Sequence, residues 1–265
     1  MYVLPFLHLP FYCKLIDSKI AATLKADPTI KVVLVTSPGN PTGKLISPSS
    51  VHELLSVTKP FWNGVFVLDE AYIDFSAAHS SLCTAVTQYP NLMVLQTLSK
   101  AFGLAGIRLG IAFSSPDIAN LMNCMKAPYN ISSPASALAM RALSPEGLAV
   151  MRHNVNDLLQ QRDFLVESLR QGQKARREGL PGIGDIIGGL DANFVLVRIV
   201  NGEGEPDNGI AEGLYTMLAE TMGVVVRFRG NERGCKGALR ITVGTRDEMQ
   251  TLLLRLQEWQ KSLTQ

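Results

Sequence analysis

The chain has 265 residues, of which 46% are hydrophobic and 18% charged, so it can bury a substantial core in one large domain or two smaller ones. Its 25 basic and 23 acidic residues nearly cancel, and this balance does not indicate a nucleic-acid or anionic-membrane partner. The four cysteines lie far apart, with no CxxC pair and no neighbouring histidine pair. We therefore expect no metal site, no disulfide framework and, without a targeting signal, a cytoplasmic location.

The first 30 residues begin as a mostly apolar run that Pro5, Pro10 and Lys14 interrupt. The run is too short and too broken to span a bilayer, and it lacks the basic start of a signal peptide. We expect residues 1–30 to be an irregular N-terminal segment with no membrane attachment.

Residues 31–145 alternate short apolar runs with amphipathic stretches. Continuous apolar runs predict buried strands over 31–36, 65–68, 92–97 and 108–113, and a helix is predicted over 49–58. This alternation is typical of an α/β domain with a mostly parallel sheet.

The chain then becomes helical over 117–125 and 134–143, and a long helix is predicted from Pro145 to about Arg170. The second predicted region, residues 146–265, begins with this long helix and continues through a glycine-rich loop at 179–189. In that region we predict strands over 193–199, 224–227 and 238–243, and helices over 208–222 and from Arg246 onward. These elements predict a smaller α+β domain joined to the first by the long helix.

Polar side chains gather after the predicted strands of the first domain. Ligand sites of open α/β sheets lie at the carboxyl ends of the strands, so we expect these side chains to share one rim of the sheet. They are Asn40, Asp69, Tyr72, Ser99, Lys100 and Arg108.

This set meets the needs of pyridoxal phosphate (PLP). The lysine amine of Lys100 would form a Schiff base with the PLP aldehyde and later transfer protons. Asp69 would hold a proton on the pyridine nitrogen, which makes the ring a better electron sink. Asn40 and Tyr72 would donate to the ring hydroxyl oxygen. Each role therefore has a residue of the right chemical type.

The phosphate of PLP needs a fixed cation and a hydroxyl donor, and Arg108 with Ser99 fits that need. Other phosphate motifs fit less well. The segment 39–44 reads GxxxGK, one residue shorter than a nucleotide-binding loop, and Leu45 follows where Ser or Thr is required. The glycines at 103–110 do not form GxGxxG, and Ser99-Lys100 is not an SxxK motif.

Three segments together resemble the signature of fold-type I aminotransferases: 37–43 (SPGNPTG), 69–72 (DEAY) and 97–110 (TLSKAFGLAGIRLG). More narrowly, the chain resembles the histidinol-phosphate aminotransferase family in the segments 126–132, 225–227 and 239–245. The segments 189–194 and 227–232 are similar to its fungal branch.

The resemblance implies PLP binding by the six residues above and catalysis by Lys100 with Asp69 and Tyr72. It also implies that Arg227 and Arg240, with Asn193, bind the substrates, which are histidinol phosphate, glutamate and 2-oxoglutarate. It further implies a homodimer with active sites at the interface. Because its forked cation is permanent, arginine suits the phosphate and carboxylate groups of these substrates.

Family members carry further N-terminal sequence, which supplies a helix N-terminus for the phosphate, an aromatic ring stacked on PLP and a tyrosine for the partner's site. We cannot locate these features before residue 31. The resemblance therefore implies an incomplete large domain with an uncovered sheet edge. Three hypotheses follow: an active histidinol-phosphate transaminase, a truncated fragment without activity, or a related aminotransferase for aromatic amino acids or another phosphorylated amine.

Overall fold

A computed structural model describes residues 13–77 and 80–263, with side chains from Ser18 onward. Contacts between residues divide the chain into two compact units. The first contains residues 13–40, 44–77 and 80–155 of the described chain, and the second contains residues 41–43 and 156–263. The predicted division at 145/146 falls ten residues earlier along the chain. The helices of the described residues include none that is both long and apolar enough to cross a membrane.

The first unit is built on a four-stranded sheet in the order β1 (Val32–Thr36), β2 (Val65–Asp69), β3 (Leu92–Thr97) and β4 (Gly110–Phe113). The strands β1, β2 and β3 run parallel, and β4 pairs with β3 in the antiparallel direction. The prediction of a mostly parallel sheet is therefore confirmed. The predicted start of the last strand at Arg108 is wrong by two residues, because the backbone at Arg108 is left-handed, with φ of 53°.

Two helices, α1 (Cys13–Ala26) and α2 (Pro48–Thr58), contribute to the core of this unit. The prediction that residues 1–30 are irregular is wrong for 13–26, and residues 1–12 lie outside the described residues. Leu24 is 1% exposed in the core, and Ile20 and Ala21 pack beside it at helical spacing. Pro5 and Pro10, which precede this helix, led to the prediction of an irregular segment.

One edge of this sheet is uncovered among the described residues. There, β1 pairs with β2 alone, and its Val32 and Leu34 are 58% and 51% exposed. Alternate residues of a strand point to opposite faces, and Val33 between them is buried in the core. One face of this edge strand is therefore packed and the other is open.

Three helices follow the first sheet: α3 (Pro116–Met125), α4 (Ser133–Ala142) and α5 (Pro145–Lys174). Each of the three predicted helices is confirmed within a few residues. No residue of α3 is buried, and α4 buries only Ala135 and Ala139. The residues of α5 pass from the first unit to the second after Val155.

The second unit contains an antiparallel sheet in the order β5 (Gly182–Ile187), β6 (Phe194–Val200), β8 (Ala238–Thr242) and β7 (Arg227–Phe228). Its core also includes residues of α5, α6 (Asn208–Glu220) and α7 (Arg246–Ser262). The side chain of Asp207 caps α6, and Thr245 with Glu248 forms a capping box on α7, which satisfies amide groups at both helix starts. The predicted α+β character is confirmed.

Two predictions in this unit are wrong. The glycine-rich segment 179–189, predicted as a loop, contains β5, whose pairing with β6 is irregular between Ile183 and Ile186. The strand predicted over 224–227 lies later, as β7, because 224–226 is irregular and Val224 donates its amide to the carbonyl of Leu218. In both cases the position of the strand depends on pairing with a neighbouring strand, which the hydrophobic periodicity of the sequence does not show.

Candidate active site

The carboxyl ends of three parallel strands meet at one rim of the first sheet. Thr36 of β1 lies beside Asp69 of β2, and Asp69 lies beside Leu95 of β3. Since β4 is antiparallel, it begins at this rim, where Gly110 pairs with Thr97. The six residues predicted to bind PLP therefore all lie in segments that leave or enter the sheet at this rim: Asn40, Asp69, Tyr72, Ser99, Lys100 and Arg108.

Asp69 ends β2 and is only partly accessible. Its Oδ1 accepts a hydrogen bond from the amide of Ala71 at 3.0 Å, and its backbone oxygen accepts one from the amide of Ser37 at 2.8 Å. These bonds fix the carboxylate at the strand end. Its remaining acceptor capacity suits a protonated ring nitrogen.

Tyr72 and Lys100 come together from neighbouring strand ends. The Nζ atom of Lys100 lies 5.2 Å from the centroid of the Tyr72 ring, within the range of a cation–π contact. The Tyr72 ring is 9% exposed, whereas Lys100 is exposed. A rigid aromatic residue thus holds an amine that remains accessible to a reactant.

The turn after β3 carries hydroxyl groups. The Thr97 hydroxyl donates to the Ser99 hydroxyl at 2.9 Å and accepts from the Ser99 amide at 3.1 Å. Arg108, in its left-handed conformation, is exposed, and its Nη1 donates to the carbonyl of Ala105 at 3.0 Å. One edge of its guanidinium is therefore braced while it remains accessible to an anion.

Asn40 is an exposed residue in the loop after β1, beside the buried Gly39, whose amide donates to the carbonyl of Lys44 at 3.2 Å. Its role toward PLP stays a prediction.

In the second unit, Arg227 of β7 and Arg240 of β8 are directly opposite each other in the strand register. Arg240 is half-buried, with its guanidinium carbon 5.1 Å from the ring centroid of Phe194, and Arg227 is exposed. Like charges directly opposite on neighbouring strands destabilise a sheet. An anion between or beside them would relieve that repulsion.

Asn193 immediately precedes β6, and its backbone oxygen accepts from the amide of Val243 at 2.9 Å. This bond gives Asn193 a structural part at the end of the β6–β8 ladder. Its predicted role toward substrate stays a prediction.

Reasoning from the sequence missed two groups at the rim of the first sheet. Thr97 organises the turn that contains Ser99, and Glu70, which is 1% exposed, accepts three hydrogen bonds. A charged residue at the end of an apolar strand was the available signal for Glu70. Its partners lie 11 to 26 residues away, beyond the reach of local patterns.

No group of three or more histidine, cysteine, aspartate or glutamate side chains in the described part of the chain is arranged to hold a metal ion. The cysteines whose side chains the structure describes, Cys83, Cys124 and Cys235, are free thiols. Burial raises the pKa of the Cys235 thiol above its ordinary value.

Known proteins resemble this chain along most of its length. Histidinol-phosphate aminotransferase of Candida maltosa is 49% identical over 234 residues, and that of Schizosaccharomyces pombe is 48% identical over 246 residues. These matches cover 88% and 91% of this chain but 58% and 62% of the relatives. The chain therefore spans about three-fifths of the length of the curated relatives it matches.

Solved structures share the fold. The crystal structure of histidinol-phosphate aminotransferase from Sinorhizobium meliloti in complex with pyridoxal-5'-phosphate superposes with a TM-score of 0.77 at 21% identity, covering 93% of this chain and 61% of that one. A decarboxylase from Sulfurospirillum multivorans gives a TM-score of 0.75 at 21% identity, covering 92% and 59%. At this identity the likeness shows the fold and leaves the reaction open.

The family model for aminotransferase class I and II matches residues 13–256, which include every residue predicted for the site. The chain belongs to the class I and II aminotransferase family.

Proposed function

We propose that this chain binds PLP and catalyses amino-group transfer between histidinol phosphate and 2-oxoglutarate, and in reverse between glutamate and imidazole acetol phosphate, a step of histidine biosynthesis. The observation that carries the proposal is the placement of the Lys100 amine over the Tyr72 ring, at the rim where β2 ends in Asp69. The similarity to fungal histidinol-phosphate aminotransferases supports the choice of substrate.

The rim residues fit PLP by their chemistry. A lysine amine, an aspartate, a phenol, paired hydroxyls and an arginine occupy neighbouring strand ends. When bound, PLP supplies the electron sink that stabilises negative charge on the substrate carbon.

The chain's own residues would then share the work. Asp69 would hold a proton at the ring nitrogen, and the Tyr72 hydroxyl would donate to the ring hydroxyl oxygen, as would Asn40. The Lys100 amine would attach the cofactor and afterwards move a proton at the substrate carbon. Arg108 and the Ser99 hydroxyl would bind the phosphate by charge-assisted hydrogen bonds.

Arg227 and Arg240 would bind the anionic groups of both substrates, and Asn193 would contribute a further polar contact. Two opposed guanidinium groups offer several N–H donors to one phosphate or carboxylate. The cation–π contact with Phe194 would hold Arg240 in place before substrate arrives.

A test begins with purified protein mixed with PLP and then treated with borohydride, which fixes PLP to any lysine that carries it. Peptide mass spectrometry should find the label on Lys100, and Lys100→Ala should lose both the label and glutamate-dependent turnover, by at least about a hundredfold. Lys59→Ala, which removes an exposed surface lysine, is the matched control.

Two other hypotheses are outcomes of the same work. Absence of the label from the wild-type chain would support a fragment without activity, since the chain spans about three-fifths of its relatives. A clear preference for phenylalanine over histidinol phosphate would replace the substrate assignment by an aromatic amino acid.

We further propose a homodimer. The helices α3 and α4 and the loop between them expose large apolar side chains, a feature typical of association surfaces. They include Leu121, Met122, Met125, Tyr129, Ile131, Leu138 and Met140. A cytoplasmic location remains a prediction from the sequence.

A further inference from the structure

Glu70 is a buried charged residue that the proposed site does not use. It lies one residue after Asp69 and two before Tyr72, and it is 1% exposed. Burying a carboxylate is costly unless hydrogen bonds or opposite charges compensate. Its surroundings therefore require an explanation.

Three donors surround the Glu70 carboxylate. Its Oε1 accepts from the backbone amide of Leu82 at 2.7 Å, and its Oε2 accepts from the Ser81 hydroxyl at 2.6 Å and from Gln96 Nε2 at 2.9 Å. Gln96 also donates to the Ser81 hydroxyl at 3.1 Å, so that the side chains of Glu70, Ser81 and Gln96 form one hydrogen-bond network. Both oxygens act as acceptors, the pattern of an ionised carboxylate.

The charge of Glu70 is balanced by dipoles. Among the described residues, the ion pairs do not include Glu70. Its three hydrogen bonds therefore offset the cost of burying the carboxylate. The negative charge of Glu70 also acts on the nearby Asp74. Burial raises the pKa of the Asp74 carboxyl, and repulsion by Glu70 raises it further. Such a network is strong when every member is satisfied and fails when one member is lost.

The backbone of Glu70 is fixed as well. Its amide donates to the carbonyl of Leu95 on β3 at 2.8 Å, and its carbonyl accepts from the amide of Ile73 at 3.0 Å, which forms the turn that carries Tyr72. Because the carboxylate also binds the Leu82 amide, Glu70 joins the two ends of the segment 70–82.

The network connects the two halves of the Lys100–Tyr72 contact. Tyr72 belongs to the segment that Glu70 closes, and Gln96 belongs to β3, which leads through Thr97 to Lys100. We propose that Glu70 is a positioning residue, which holds the segment carrying Tyr72 against the strand that leads to Lys100. The proposal deepens the proposed function and rests on it for the consequence that PLP binds less well when the network is broken.

The test uses Glu70→Gln, which preserves shape and volume. Its single acceptor oxygen can serve the Leu82 amide, but its NH₂ group then faces the Ser81 and Gln96 donors. We expect hydrogen exchange of the backbone amides in peptides covering 70–83 to quicken about tenfold, and the dissociation constant for PLP to rise about fivefold or more. Glu70→Asp keeps the negative charge, so this variant should bind PLP more tightly than Glu70→Gln does.

Thr58→Val is the matched control, because it removes a buried hydrogen bond to Leu54 within the same unit but on α2. We expect this variant to lower the melting temperature without faster exchange over 70–83 and without weaker PLP binding. If Glu70→Gln changes exchange and PLP affinity no more than Thr58→Val does, the proposal is wrong. If the wild-type chain does not bind PLP, the proposed function fails. Localised fast exchange in Glu70→Gln would then still support the positioning role, and its absence would overturn that role.

Discussion

The two units of this chain differ in how completely their secondary structure is covered. In the second unit, α6 buries Ala211, Leu214 and Leu218 against its sheet, and α7 buries four residues. In the first unit, α3 buries no residue, and β1 exposes Val32 and Leu34. Both units contain amphipathic helices, so the difference lies in what is available to pack against them.

The two units also differ in the residues and surfaces that they present. The second unit packs apolar residues of α5, α6 and α7 into one core with its sheet, and it carries the opposed pair Arg227 and Arg240 on β7 and β8. The first unit holds the rim with Lys100 and leaves apolar surface for further contacts. Surfaces of that kind mark association sites in soluble proteins.

The largest expected effect tests the difference in packing. Leu218→Ala on α6, where the side chain is 0% exposed, should lower the free energy of unfolding by about 2–5 kcal/mol, since it removes buried contacts and leaves a cavity. Leu121→Ala on α3, where the side chain is 66% exposed, should change it by less than about 0.5 kcal/mol. Urea unfolding measures both, and equal losses would contradict the contrast between the units.

The next prediction concerns the arginine pair. Arg227→Ala should leave the free energy of unfolding unchanged or slightly raised, because it removes a like charge opposite Arg240. The same change should raise KM for histidinol phosphate or glutamate about tenfold or more, since a charge-assisted hydrogen bond to substrate is lost. Steady-state kinetics and urea unfolding test the two parts.

Arg240→Ala should also weaken substrate use while PLP stays attached to Lys100. Arg233→Ala, which removes an exposed arginine outside the pair, should change neither substrate use nor PLP attachment. Loss of PLP from the Arg240 variant would contradict its assignment to substrate.

The sequence predicted the strands that carry the rim because their apolar runs are long and end at polar turn residues. The runs 65–68 and 92–97 became β2 and β3 almost unchanged. It did not predict α1, whose helical face depends on packing beside Leu24, or β5, whose glycines form a strand through pairing with β6. In both, tertiary contacts outweighed local preference.

For the site, motif order was enough to select Lys100, Asp69 and Tyr72 as candidates. The Glu70 network could not be predicted, because Ser81 and Gln96 lie 11 and 26 residues from Glu70 and reach it only in the folded chain. The left-handed backbone of Arg108 was equally hidden, since arginine does not by itself favour that conformation.

A smaller effect is expected on association. Leu121 and Met125 lie one helical turn apart on α3 and are 66% and 73% exposed. If this surface forms the proposed dimer, the double variant Leu121→Ser and Met125→Ser should raise the dimer dissociation constant about tenfold, as measured by light scattering during size-exclusion chromatography. Leu254→Ser on α7, where the side chain is 59% exposed, is the control in the second unit. An unchanged dissociation constant would place the interface elsewhere.

The smallest effect tests the negative field around Glu70. Because burial and the Glu70 charge raise the pKa of Asp74 above its ordinary 3.8, the folded chain binds that proton more tightly than the unfolded chain. Asp74 therefore costs stability as pH rises from about 3.8 through its raised pKa, and the cost is constant above that pH. Asp74→Asn removes this cost, so at pH 7 the variant should be more stable than wild type by less than about 1 kcal/mol, a value reduced by solvent screening. The difference should shrink toward zero in urea unfolding below about pH 3, where the proton is bound in both states. A variant less stable than wild type at pH 7 would mean that the hydrogen bonds of Asp74 outweigh its repulsion by Glu70, and that the dipoles around Glu70 screen its charge within a few residues.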